Sequence, residues 1–324
     1  MSTITKIFDP ADGFAPLVNA GVVTDSTLAR REGRWWMYLA GRLYDHEGIQ
    51  IFSASLPPGA PLAARGWTLT PDPREPTRVA TLAPQEKSRA WDLRGGRHCP
   101  SYVRGWEPAR QAWVERIYYA GGAENLWGPY TIGYLEWDGA RWVEQDAPAF
   151  AAAEEWERGS VYEPNLVWVD GLWRMWYVAG SNQADYLAHG YAESADGRSG
   201  WTRRPFFPPE DKVFDFCVVP SPAGGYEAVF SRVWLGKDSP PPWVGLWWCR
   251  ADAPSSSPRD WSPPVQLLPR AADGWYHGPW KPCLRYDDGA PERMFVFFDG
   301  QYLRPDGGPF PFVFTLGCLE RNRP

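Results

Sequence analysis

Gly33–Gly41 reads GRWWMYLAG, and Gly171–Gly180 reads GLWRMWYVAG. Each starts on a glycine turn, runs through an aromatic-rich strand and ends in Ala-Gly, an order that chance has little reason to produce twice. Glu115–Gly122 (ERIYYAGG) repeats it, and Gly224–Arg232 (GGYEAVFSR) and Glu292–Gly300 (ERMFVFFDG) repeat it more loosely. Five such segments, spaced about 50 to 80 residues apart, mark an internal repeat.

Working outward, a short strand precedes each segment: DSTLA from Asp25, CPSYV from Cys99, EPNLV from Glu163, DFCVV from Asp215 and KPCLR from Lys281. A third strand follows, then a DG turn and a fourth strand bearing Trp. That order is clearest in His189–Trp201 (HGYAESADGRSGW) and Ile132–Trp142 (IGYLEWDGARW), and weaker in the other three units. Hairpins of this kind build three- or four-stranded antiparallel sheets. Sheets too small to bury their own faces are stable when packed radially about an axis. The sequence therefore predicts an all-β chain, a five-bladed β-propeller of four-stranded antiparallel blades, with residues 1–324 as a single domain. A β-sandwich with accidental internal similarity is the alternative, and it gives no reason for the repeated order.

Composition agrees: 21 Trp, 34 Pro and 32 Gly suit pleated surfaces and tight turns. The one helix-prone stretch is Phe150–Arg158 (FAAAEEWER), long enough for about two turns and read as a loop excursion. A formal charge of −6 without a basic run argues against nucleic acid and anionic membranes as partners. Nothing nears the 18 consecutive apolar residues of a membrane helix. MSTITKIFDPADGF shows no basic-then-apolar signal, so a cytoplasmic location is expected. Five scattered cysteines without a CxxC pair fit free thiols in a reducing compartment.

In a propeller the first strand of each blade lines the central channel, and its upper end faces the usual binding depression. The repeat thus selects Asp25, Cys99, Glu163, Asp215 and Lys281, with His98 beside Cys99. Burying charge is costly unless the charge is paired or solvated, so a ring of this composition points to a site. Edge contacts and water-exposed ion pairs with Lys281 or Arg232 are the competing explanation. Cys99 is read as a packing thiol in preference to a nucleophile. Histidines 46, 98, 189 and 277 have no metal-ligand spacing, so neither a metal ion nor another cofactor is expected. His98 and His277 are expected to bind substrate hydroxyls, and Trp35, Trp91, Trp127, Trp234 and Trp280 are placed where sugar faces stack, although most Trp should fill the gaps between blades.

Asp25 with its strand and GRWWMYLAG, Glu163-Pro164-Asn165-Leu166-Val167 with GLWRMWYVAG, and GYAESADGRSGW together resemble the five-bladed propeller glycoside hydrolases of families 43 and 32. The likeness spans essentially the whole chain and is strongest in blades one and three. It implies a hydrolase for a small glycoside or oligosaccharide, with Asp25 as base or nucleophile and Glu163 as general acid. In that group a third carboxylate follows a blade-two Pro; here Ser101 follows Pro100, and Asp92 or Asp215 is the candidate replacement. The blade-three acid of the family stands two residues before its Pro, whereas Glu163 stands one before. A one-residue slip turns a side chain to the other face unless a bulge corrects it.

The expected catalytic set is therefore Asp25, Glu163 and Asp215, with His98, Ser101, Arg232, His277, Lys281 and Trp280 binding the carbohydrate. Two other readings stay open at this level. One is a glycoside phosphorylase using Arg94, Arg97, Arg232 and Lys281 for phosphate. The other is a propeller that binds a metabolite without cleaving a glycoside.

Overall fold

The computed structural model describes residues 2–83, 91–92, 94–125, 127–181, 186–233, 241–271, 274–303 and 312–324. Among the described residues, twenty strands form five blades around a channel. Blade one comprises Thr24–Arg31, Arg34–Arg42, Ile49–Ser55 and Thr68–Leu69, and blade two Gly96–Glu107, Ala112–Gly122, Tyr130–Trp137 and Trp142–Glu144. Blade three comprises Val161–Val169, Leu172–Ser181, Tyr186–Ser194 and Thr202–Pro205, and blade four Val213–Pro220, Tyr226–Arg232, Gly245–Ala251 and Val265–Pro269. Every pairing within a blade is antiparallel; one parallel bridge, Ile49 to Gly96, links blades one and two.

Blade five holds a feature the repeat did not announce. Its first three strands are Trp280–Asp287, Ala290–Leu303 and Phe312–Asn322, but its fourth is Thr3–Phe8, which pairs Thr3 with Glu320 and Thr5 with Cys318. The two ends of the chain thus share one sheet and close the circle. A free edge is removed at the cost of a long loop closure.

Each seam between neighbouring blades has its own apolar core. Met37 and Phe52 meet Phe295 and Phe297 between blades one and five, and Tyr38 and Ile51 meet Tyr119 and Leu135 between one and two. Tyr118 and Ile132 face Met175 and Tyr177, Trp176 faces Phe216 and Phe230, and Val229 and Leu246 face Met294 and Val296 in the remaining three. Large rings suit these seams because the gap between radiating sheets widens outward. The helix-prone stretch 150–158 is a loop between blades with a single 3-10 turn, Glu155–Glu157, where Glu157 accepts the Ala153 and Glu154 amides and the Tyr177 hydroxyl.

Candidate active site

The inner strands share a second repeated device. In every one the pairing with the neighbouring strand slips by a residue near its upper end: between Thr24 and Thr27, His98 and Ser101, Tyr162 and Asn165, Val213 and Phe216, and Trp280 and Cys283. These are β-bulges, which re-aim a side chain. Four bulges hold a non-glycine residue in the left-handed region: Asp25 (φ 50°), Cys99 (56°), Glu163 (52°) and Lys281 (48°). Such a conformation costs about 1–2 kcal/mol per residue. In three blades a proline follows (Pro100, Pro164, Pro282), and having no N–H it leaves no amide donor unsatisfied at the break.

The bulges bring the five leading residues into one hydrogen-bonded circuit. The Cys99 amide donates to Asp25 Oδ2 at 3.0 Å, and its thiol donates to Glu163 Oε1 at 2.8 Å. Lys281 Nζ stands 2.7 Å from Glu163 Oε2 and 4.0 Å from Asp215 Oδ1. Asp215 Oδ2 accepts the Lys281 amide at 2.8 Å and the Ser231 hydroxyl at 2.7 Å. Glu163 therefore joins the circuit despite its altered spacing from Pro164, because the bulge between Tyr162 and Asn165 offsets the slip.

Asp299, on the second strand of blade five, is a member that sequence reasoning missed. Both of its oxygens accept the Asp25 amide at 2.9 Å, and it has no solvent exposure. A signal was present: where the repeat has Ala40 and Ala120, blades four and five carry Ser231 and Asp299, and each polar replacement touches a leading carboxylate or its backbone.

All of these groups are buried, with Asp25 the most exposed of the carboxylates at 6%. Burial, reinforced by the neighbouring Glu163, raises the Asp215 carboxyl well above the usual carboxylate range. Burial and Asp25 do the same to Asp299. Burial alone would lower the Lys281 ammonium, but Glu163, Cys99 and Asp215 outweigh it and keep the cation. Burial and the two carboxylates it touches push the Cys99 thiol up, so it acts here as a hydrogen-bond donor. Each raised carboxyl stands beside another acidic side chain, Asp215 beside Glu163 and Asp299 beside Asp25.

An arc of rings surrounds the circuit. The residues one place before the leading positions, His98, Tyr162, Phe214 and Trp280, line up with Tyr130 and Phe314 in successive ring contacts of 5.2–6.1 Å. The half-buried His98 ring nitrogen Nε2 lies 2.9 Å from the Gly95 carbonyl, and burial lowers its proton affinity. Trp280 is half-buried against Phe214 and Phe314.

Other expected site residues lie elsewhere. Ser101 is two places below the circuit, where its hydroxyl accepts the Leu166 amide at 3.1 Å and fastens blade two to blade three. The blade-two counterpart of Asp25 and Glu163 is therefore Cys99. Arg232 packs on Trp247, 4.9 Å from the ring centre, toward the third strand of its blade. His277 precedes blade five and donates its amide to Gln301; its side chain is half-buried. Trp35 is buried in the seam core between blades one and five. Trp91 stacks on Tyr119 at 5.4 Å over Gly121 and Gly133, where a Cβ would collide with its ring. Trp127 is half exposed, and Trp234 falls outside the described residues.

The cations needed for a phosphate pocket are also dispersed. Arg97 is fully buried with Asp92 at 3.1 Å and Glu144 at 2.6 Å, which also removes Asp92 as a third catalytic carboxylate, and Arg94 is exposed. Among the described residues no group of three His, Cys, Asp or Glu side chains is arranged to hold a metal ion.

No protein-family profile matches the sequence, and no curated protein matches it. Solved structures do resemble the fold over nearly its full length. The catalytic domain of a family 62 α-L-arabinofuranosidase from Coprinopsis cinerea has a TM-score of 0.63 at 13% identity, covering 98% of this chain and 96% of that one. A family 93 α-L-arabinofuranosidase of Fusarium graminearum in complex with arabinobiose gives 0.57 at 12% identity, with 97% of each chain covered. A family 117 glycoside hydrolase of Zobellia galactanivorans gives 0.59 at 15% identity, covering 99% of this chain and 90% of that one. At these identities the likeness establishes the five-bladed propeller fold.

Proposed function

We propose that the chain is a glycoside hydrolase acting on a small furanoside, with an α-L-arabinofuranoside as the first substrate to try. The observation that carries this reading is the convergence of Asp25, Glu163 and Asp215 at the upper ends of inner strands from three blades. The full-length likeness to propellers that include two α-L-arabinofuranosidases supports it.

Glycoside cleavage needs one carboxyl group to protonate the leaving oxygen and another to activate water or attack the anomeric carbon. Asp25 is the base in this reading. It accepts a backbone amide that fixes its orientation and has Asp299 behind it. Asp215 is the proton store in this reading, because burial and Glu163 disfavour its anion. Glu163, in contact with Asp215, passes that proton to the leaving oxygen. Lys281 holds the pair at fixed separation and limits the charge that accumulates when the proton leaves. The aromatic arc excludes water and offers flat apolar faces to the sugar ring.

Asp25→Asn is the cleaner test, because the Asn oxygen keeps the Cys99 amide bond while the base is lost. With an aryl α-L-arabinofuranoside, kcat should fall by about 10²–10⁴-fold with Tm nearly unchanged. If the wild-type protein cleaves none of a panel of aryl furanosides and pyranosides, or if the variant retains full activity, the reading is wrong.

A further inference from the structure

Two residues below Asp215 and Lys281 on the same strands stand Cys217 and Cys283. Both line a cavity of about 550 Å³ that occupies the lower part of the channel, reaching from Lys281 to the turns at Pro222 and Asp288. The Cys217 sulfur accepts the Leu284 amide at 3.4 Å. The Cys283 thiol also donates to it, the Asn165 amide points at it, and the Arg285 guanidinium lies nearby. Arg285 is held there by bonds to the Leu28 carbonyl at 3.0 and 2.8 Å.

Hydrogen-bond donation from Cys283 outweighs burial and, with Arg285 and the Leu284 amide, brings the Cys217 thiol down to about 6. The other four cysteines are shifted the opposite way, Cys249 to about 12 through burial, so the molecule contains its own controls. A thiolate with convergent donors and an adjacent second thiol is the arrangement of a reactive dithiol.

We infer that Cys217 and Cys283 form a modification site for peroxides and soft electrophiles that enter through the lower channel. Cys217 is the attacking sulfur and Cys283 the resolving one. The Cys217 thiolate attacks one oxygen of hydrogen peroxide, the O–O bond breaks, and the departing hydroxide takes a proton to become water. Cys283 then attacks the resulting sulfenic acid, losing its proton as a second water leaves and the S–S bond forms. The two sulfurs are oxidised by two electrons in total, and the peroxide is reduced. The product ties blades four and five together directly below Asp215 and Lys281. This inference concerns thiol chemistry and stands whether or not the protein hydrolyses glycosides.

The test uses the folded full chain. Iodoacetamide at pH 7, followed by peptide mapping, should alkylate Cys217 about tenfold faster than any other cysteine. One equivalent of hydrogen peroxide should give a linked Cys217–Cys283 peptide under non-reducing conditions. In Cys283→Ser the same treatment should leave a sulfenic acid on Cys217 that dimedone captures, and Cys217→Ser should abolish both products. Equal slow labelling of all five cysteines overturns the inference, as does Cys217 labelling no faster than global unfolding measured by circular dichroism. A retained fold with neither a linked peptide nor a dimedone adduct overturns it as well.

Discussion

The inner strands carry two rings of side chains two residues apart, and the rings obey different rules. In the lower ring, Thr27, Ser101, Asn165, Cys217 and Cys283 are all small side chains without a carboxylate or ammonium group, and all share one structural job. Each accepts the amide of the residue opposite in the next blade: Tyr102 on Thr27 at 3.1 Å, Leu166 on Ser101 at 3.1 Å, Val218 on Asn165 at 3.2 Å, Leu284 on Cys217 at 3.4 Å and Leu28 on Cys283. In the upper ring, Asp25, Cys99, Glu163, Asp215 and Lys281 share a position but neither charge nor partner, and four sit in a costly backbone conformation. Fastening each blade to the next explains why the lower ring shares one kind of contact, and the thiol pair adds its chemistry on top of that contact. Fastening gives no reason for the upper ring, where strain and buried charge are retained together as at functional sites.

The largest expected stability effect lies in the upper ring. Lys281→Met strands the Glu163 carboxylate in a buried setting and should cost about 3–5 kcal/mol in denaturant unfolding. Adding Glu163→Gln removes the stranded charge, so the double variant should recover most of that loss. Additive losses would mean that the two side chains do not act as a pair, and the contrast between the rings would fail. The coupling also makes Glu163→Gln a poor catalytic test when used alone, because it breaks an ion pair as well as removing an acid.

In the lower ring the expected effect is smaller and of another kind. Thr27→Val keeps the shape but leaves the Tyr102 amide without its acceptor, at a cost of about 1–3 kcal/mol. The kcat and KM on whichever glycoside is cleaved should not change. A changed KM with unchanged stability would reverse the roles assigned to the two rings.

How far the sequence carries differs between the rings for a physical reason. Asp25, Glu163, Asp215 and Lys281 were legible because each precedes a repeated Gly-turn and aromatic strand, so the repeat fixes their height in the channel. Pro100 points by family position to Ser101, but the bulge makes Cys99 the upper residue and Ser101 the seam acceptor. Asp299 escaped because its signal is one polar residue in a column of small ones. Arg97 and Asp92 read as available from residue type, which cannot show that Arg97 pairs with Asp92 and with Glu144 in another strand of the same blade. Nothing local in Thr3–Phe8 says that it completes a sheet begun at Trp280, since that pairing depends on closure of the whole circle.

The upper ring also differs from a buried imidazole whose ring nitrogens have no hydrogen-bond partner among the described residues. His189, on the third strand of blade three, is 1% exposed, lies among Phe206, Phe207 and Phe216, and finds no hydrogen bond for either ring nitrogen among the described residues. Burial lowers its pKa to about 3, against an ordinary value of 6.5. Between those values the unfolded chain takes up a proton that the folded one refuses, so this residue makes stability fall as pH falls through the window. At pH 5 the penalty is about 2 kcal/mol relative to pH 7. His189→Leu should remove it, giving a flatter urea-unfolding profile from pH 7 to pH 5 and little change at pH 7. The raised carboxyls Asp215 and Asp299 act in the opposite sense: the unfolded chain loses their protons from about pH 4 upward, so their contribution to stability declines as pH rises. A variant whose acid limb is as steep as the wild type would show that His189 is protonated or solvated in the folded state, and that its aromatic cage is open to water.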